Sequence, residues 1–458
     1  MKFFRLMWMI LFSISILSAQ SAFDLGSVFE PEEDSKLVKL VWTGFYEYEP
    51  RFFLNDKAPL EYQSVHVLDI GFNIEGQNMA MTGTFQFRDE NKLVLSLEEL
   101  FVSAYLGRFQ LHAGKQVVVW GKGDELHIVD LINADNYWDF FFPDYLQRRT
   151  GENMLRLNMI VGPYKWNAGL ELVYAPGFTK MNFPESGPWK PPVYAALDVV
   201  LDAIPQIVLN ERNYDELKDG QFAARWTQTT GLLDWGMMWY RGKLRVPSVR
   251  YTPDLASSFW PAGTVELRNN PVTVIGIEFG TAMGKLNLRG EAARYLTSDR
   301  DGTKPDIINS KWSLLLGGDI SLPVSNLNLN VQYQKDFVTE DDPNIPGLDF
   351  IKMAQLIAPQ LGIDPALFDE GITSGYYDRN MIAVRLGDSF FRDRFKPEIQ
   401  YVYNVDSKDY MVTLKLSQEL RESLNLIGIY RHFQGNAGTV FGQYKNNDFV
   451  SLRLEYFF

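Results

Sequence analysis

The side chains able to carry out chemistry are few. The chain holds four histidines, His66, His112, His127 and His432, and no cysteine. A hydrolase needs a nucleophile held against a base. No Gly-x-Ser-x-Gly turn is present, and His127, between Asp124 and Asp130, reads as polar loop surface. Without cysteine there are no disulfides, no thiolate metal sites and no lipid-modified N-terminal cysteine. Asn133-Ala134-Asp135-Asn136 lacks the aspartate-rich loop, glycine and closing glutamate of a calcium site. The expectation is therefore no catalytic group, no metal and no cofactor. A formal net charge of −13 argues against a nucleic-acid partner.

The remaining chemistry is charge, and it gathers in residues 114–153. Asp124, Glu125, Asp130, Asp135, Asp139 and Asp144 are followed by Arg148 and Arg149. An acidic side facing a basic side would orient ions in a pore. A salt-bridged plug fits the same residues. The stretch opens as a strand end, Gly114-Lys115-Gln116-Val117-Val118-Val119-Trp120-Gly121, and becomes a long connection near 120–152. It is too apolar to lie free in water and too charged for lipid. Loops of this length are usually functional. We expect this one to fold into a barrel and narrow it.

The elements that must hold such a loop follow from a period of two. Leu327, Leu329, Val331 and Tyr333 share one face, opposite Asn328, Asn330 and Gln332. Residues 410–417 and 166–174 alternate in the same way. Strands are expected near 37–50, 62–75, 78–89, 92–105, 107–119, 153–162, 165–175, 220–229, 232–241, 271–281, 284–296, 310–321, 325–337, 377–388, 394–404, 408–418, 423–433 and 449–458. Every second connection is then a tight turn. The other set holds all the long loops, with short members near Glu90 and Asp406. Long loops on one rim and tight turns on the other is the pattern of outer-membrane barrels. The fold class is all-β, a transmembrane antiparallel up-and-down β-barrel of about 18 strands, with 16 as the alternative count. Both termini fall on the tight-turn rim. No linker or shift of composition divides 23–458, which reads as a single barrel domain.

Residues 1–22 read as a signal segment: Lys2 and Arg5, an apolar run, then small residues near Ala19 and Ala22. The last strand places Val450, Leu452, Leu454, Tyr456 and Phe458 on one face. That resembles the C-terminal signal read by the barrel-assembly machinery, which the resemblance makes a partner. The location expected is the cell outer membrane, in contact with its lipid.

A charge on the lipid face costs about 2–4 kcal/mol at mid-membrane. Arg156, Glu171, Arg225, Glu278, Arg289, Glu291, Asp319, Arg385, Glu398, Lys415, Arg453 and Glu455 all fall on the polar face, so they are expected in the lumen, either around a hydrated pore or as a bed of ion pairs. Lys115 resists. In register with Phe109, Leu111 and Ala113 it would face lipid, unless a bulge at Gly114 flips the strand or Lys115 lies beyond the apolar core. Two loop segments have helical spacing: Val193, Leu197, Val200, Leu201 and Ile204, and Phe350, Met353, Leu356, Ile357 and Leu361. Asp364-Pro365 reads as a cap followed by a first-turn proline. These short loop helices either pack on each other above the barrel or form an apolar vestibule.

The stretch 114–121, followed by Asp130 and Asn133, resembles a large family of Gram-negative outer-membrane proteins of uncharacterised function, distantly akin to alginate-export barrels and porins. The resemblance covers about 110–175. The run Phe140-Phe141-Phe142 and the loop helices depart from it. It implies an outer-membrane channel, often associated with hydrophobic or lipid-like molecules and an inner-membrane or periplasmic exporter. It carries over Lys115, Gln116, Trp120, Asp130 and Asn133 as residues that set the constriction. Three readings follow: a porin-like channel for small molecules, a conduit for hydrophobic or lipid-like substrates working with an exporter, and a closed structural or adhesion barrel.

Overall fold

The computed structural model describes residues 38–55, 61–89, 93–139, 148–214, 217–258, 261–304, 306–339, 348–368 and 379–458. Residues 1–22, Asp144 and the aromatic run 140–142 lie outside the described residues.

Eighteen antiparallel strands form one sheet. Each pairs with its sequence neighbours among the spanning strands, and the last, Phe449–Phe457, returns to pair with the first, Lys39–Phe53. The sheet is therefore closed, which removes its edges. Alternation explains why the wall forms. In Asn328–Val338, Asn330, Gln332, Gln334 and Asp336 are buried inside, while Val331 and Tyr333 are exposed outside. The same inside–outside split holds in Lys311–Ser321, where Leu314 and Leu316 point out and Ser313 and Leu315 point in. An exposed apolar belt around a closed wall has its favourable solvent in hydrocarbon, so this is a transmembrane barrel. Each expected strand corresponds to an observed one, with ends displaced by a few residues.

The rim that carries residue 39 has the tight turns, at 76–78, 107–108, 231–232, 284–285 and 422–423. The opposite rim carries the long connections. Two helices, Pro192–Ala203 and Leu348–Ile357, lie there with a small sheet of Ile207–Glu211, Ser248–Pro253 and Gly263–Arg268. Leu197, Val200, Ile204, Val265, Phe350, Met353, Ile357 and Phe368 bury one another. The apolar stripes are thus used up in packing loop on loop. The expected cap is present too: the Ala366 N–H donates to Asp364 Oδ1 at 2.9 Å, and a short 3-10 turn, Pro365–Phe368, follows.

The strand with Lys115 settles its own question. Pairing runs without interruption through Gly114 on both sides, so no bulge sits there. The irregularity lies in the neighbouring strand, Leu93–Leu106, where Thr84 and Phe85 stand opposite Glu99 and Leu97 and leave Glu98 as the extra residue. It lets consecutive residues Glu98 and Glu99 escape the alternation. Lys115 keeps the register of Leu111 and Ala113, and its amine donates to the Leu97 carbonyl. It is therefore not a lumen residue, contrary to the expectation for the constriction. Gly114 has φ +133, and a Cβ there would sit 2.3 Å from the Leu100 carbonyl oxygen, so this close approach requires glycine.

Candidate functional site

The connection that leaves Gln116 turns into the barrel. Its path starts with three fixings. Gln116 is buried and donates to the Met154 carbonyl at 3.3 Å. The Val117 N–H donates to Glu99 at 2.7 Å, using one of the two glutamates released by the bulge. Asn133, 0% exposed, closes the base of the loop: its Oδ1 accepts from Val118 N–H at 2.8 Å, and its Nδ2 donates to the Gln116 and Thr150 carbonyls at 3.1 and 2.8 Å. Asp130 accepts from Trp120 N–H at 3.3 Å and pairs with Arg149. Arg149 also donates to the Asn133 and Asp130 carbonyls, both at 2.9 Å. Asp130 and Arg149 were read as opposite sides of a constriction and Asn133 as a residue that sets it; all three are buried and hold the loop's shape.

The middle of the loop meets the opposite wall. Glu291 accepts four backbone N–H groups, from Lys122, Gly123, Ile128 and Val129, at 2.6, 2.8, 3.1 and 3.2 Å. Gly121 lies against it with φ +105, and a Cβ there would come within 2.6 Å of Glu291 Oε1. Gln332 Oε1 accepts from Glu125 and Leu126 N–H at 3.2 and 2.9 Å. Asp124 pairs with Arg289 and accepts from Asn330 Nδ2 at 2.6 Å. Glu125 reaches Arg385 at 3.3 Å and Gln400. The strand with Arg385, Arg379–Gly387, is nine spanning strands on from Phe109–Gln116, where the loop leaves; it is half the circumference away. The loop therefore crosses the full width of the lumen.

Trp120 is buried at 1% exposure. Its Nε1 donates to Glu171 at 3.1 Å and the Arg225 guanidinium sits 5.8 Å from its ring. Val118, Leu126, Ile128, Val129 and Ile132 bury their side chains against inward-facing Val274, Ala293, Tyr295 and their neighbours. The returning arm covers another sector, with Trp138 packed on Val65 and Val67 and under Arg88, and Asp139 paired to Arg51 at 2.7 Å.

The charged residues expected in the lumen stand on the inward faces of their strands, and several of them form ion pairs. Arg156 binds Glu171 at 2.6 Å, Arg225 binds Glu278 at 3.1 Å through Nε, Arg289 binds Asp319, and Arg453 binds Glu49 at 2.9 Å and Glu455 at 3.4 Å. The two-sided constriction of acids against Arg148 and Arg149 is not what forms. Asp135 pairs with both arginines, at 3.3 and 3.5 Å, while Asp124, Glu125 and Asp139 pair with the wall. His127 is not loop surface either. Its Nε2 lies 3.2 Å from the Asp124 carbonyl, and burial, then the charges of Arg149 and Arg148, push it down to about 4.

Sequence reasoning missed several anchors. Glu47, Glu49 and Arg51 stand on the inward face of the first strand at a spacing of two, a signal that was readable. Arg245 was not: it lies in irregular chain, yet binds Glu152 at 3.1 Å and the Ile132 carbonyl. Toward the tight-turn rim the lumen keeps open cavities. One, of about 510 Å³, is lined by Lys122, Thr227, Asp234 and Glu278, and another, of about 330 Å³, by Lys396, Lys415, Asn425 and Glu455. Among the described residues no group of three or more acidic or histidine side chains could hold a metal.

Fold and site together define a closed transmembrane β-barrel whose lumen is crossed by one of its own loops. No protein-family model matches the sequence, and no curated protein matches it. Solved structures of the same shape exist. OccK5 (OpdH) of Pseudomonas aeruginosa is 10% identical, with 92% of this chain and 97% of that one covered at a TM-score of 0.50. OpdO of the same organism is 11% identical, with 92% and 96% covered at 0.50. At that identity the likeness speaks for the fold. The kinship drawn from residues 110–175 rests on those residues alone.

Proposed function

We propose that this chain is a porin-like channel of the cell outer membrane, and that the loop after Gln116 governs what passes. The observation that carries the reading is the loop's course across a closed transmembrane lumen, from Glu99 on the near wall to Arg385 on the far one. The signal segment and C-terminal strand support an outer-membrane location reached through the barrel-assembly machinery. Binding in the lumen needs no reacting group, so we assign no catalysis.

A second reading has its own support. Met381, Val402, Met411, Ile427 and Ile429 form an apolar sector of the inner wall that the protein's own loops cover, and once uncovered it suits a hydrophobic or lipid-like solute handed over by a periplasmic or inner-membrane exporter. Planar-bilayer recording tests both. Full-length protein is expected to show small, interrupted currents, and replacement of 121–129 by a Gly-Ser bridge is expected to raise conductance severalfold. If neither form conducts, the channel reading fails and a closed structural barrel takes its place.

A further inference from the structure

The seam where the barrel closes is incomplete. Strand Lys39–Phe53 pairs with Phe449–Phe457 from Phe45↔Phe457 to Tyr48↔Leu454, then again from Arg51↔Ser451 to Phe53↔Phe449. Glu49 and Pro50 are skipped on this side, and pairing resumes in the same register. On its other side the same strand pairs without a break, Pro50↔Ser64 included. Proline has no N–H to donate and is disfavoured inside a sheet. Elsewhere in the wall, among the described residues, the irregularities are shifts between Thr84 and Phe85 and between Glu419 and Arg421.

Side chains bridge the gap on the lumen side. Arg453 Nε donates to Glu49 at 2.9 Å across the seam, and Arg51 donates to the other Glu49 oxygen at 2.8 Å. Arg51 in turn holds Asp139 of the inward loop. The lipid side is unusual as well. Beside Pro50, between exposed Phe52 and Tyr62 and the apolar Leu452 and Tyr456, the wall carries a polar cluster. The two ring nitrogens of His66 hydrogen-bond to Tyr46 OH at 2.8 Å and to Ser64 Oγ at 3.0 Å, and Tyr48 stacks on its ring at 4.7 Å. These groups satisfy one another and give the outer wall a polar spot beside the gap.

We propose that this seam is a lateral portal, through which a lipid-like amphiphile passes between the lumen and the bilayer. The polar head meets Ser64, His66 and the tyrosines, and the tail lies along Leu452 and Leu454. The Glu49–Arg453 pair is the latch, and the Arg51–Asp139 pair ties the latch to the loop. The proposal rests on the lumen being a passage, and it adds a route that leaves through the wall.

Because the chain contains no cysteine, engineered pairs are its only thiols. Phe52→Cys with Val450→Cys spans the seam on the outer face, and Met237→Cys with Ile277→Cys spans a continuous part of the wall as control. Each carries a benzoylphenylalanine at Ile429, which faces the lumen, and is placed in vesicles of radiolabelled phosphatidylethanolamine and phosphatidylglycerol. Photolysis is expected to label the reduced seam variant, to label it at least tenfold less after oxidation, and to label the control equally in both states. Equal labelling of the oxidised and reduced seam, loss in the control, or no lumen labelling in any state overturns the portal. Pro50→Val in an otherwise native chain provides an independent check. It is expected to slow amide exchange at 450–454 and to cut labelling severalfold, whereas unchanged exchange counts against the gap. Conductance separates this idea from the channel reading, since locking the seam is expected to leave ion current intact.

Discussion

Single side chains decide whether the loop stays in place. Asn133 satisfies three backbone groups, and each such bond contributes about 0.5–1.5 kcal/mol. Asn133→Ala is expected to destabilise the loop base by about 2 kcal/mol, read as faster proteolysis after Val117 with the barrel itself still folded. His127 makes the packing pH-sensitive. Its folded value of about 4 lies below the ordinary 6.5, so the unpacked loop binds the proton more readily. Packing is therefore strongest above about pH 6.5 and weakens as pH falls toward 4. Channel noise compared at pH 7 and 4.5 is expected to rise on acidification, and His127→Gln is expected to flatten that response.

At the scale of elements, alternation of apolar and polar residues was sufficient to find the strands, because lipid outside and a polar lumen inside write the same period-two message. Helical stripes such as Leu197, Val200 and Ile204 were legible for a like reason. The partners of the loop were not. Nothing local ties Glu291 to Gly123 or Glu125 to Arg385, since those contacts depend on how far round the cylinder each strand stands. Acidic residues near Arg148 and Arg149 suggested a local pairing, but Asp124, Glu125 and Asp139 each had a nearer cation on the wall. Lys115 was ambiguous because the bulge that explains it lies in the neighbouring strand, at Glu98–Glu99. Gly114→Ala would force a Cβ against the Leu100 carbonyl in a backbone region alanine avoids. A conformation of that kind costs about 1–3 kcal/mol before any clash. The folded fraction, followed by heat-modifiable electrophoretic mobility, is expected to drop clearly.

For the whole molecule, the bilayer is the solvent that makes the outer face intelligible. Leu316 is 59% exposed on the belt, directly across from Gln332's strand. Leu316→Arg is expected to cost about 2–4 kcal/mol if it lies at mid-membrane, seen as a shifted urea midpoint for folding into vesicles. Arginine at an inward position such as Thr413 is expected to shift it far less.

The loop's reach from Glu99 to Arg385 also has a mechanical meaning. A thin hoop flattens easily, but a hoop with a spoke fixed at opposite points keeps its roundness. Cutting that spoke at Glu291 and Arg385 should therefore do more than clear an opening: the cylinder should soften and breathe into an ellipse under the sideways pressure of the surrounding lipid.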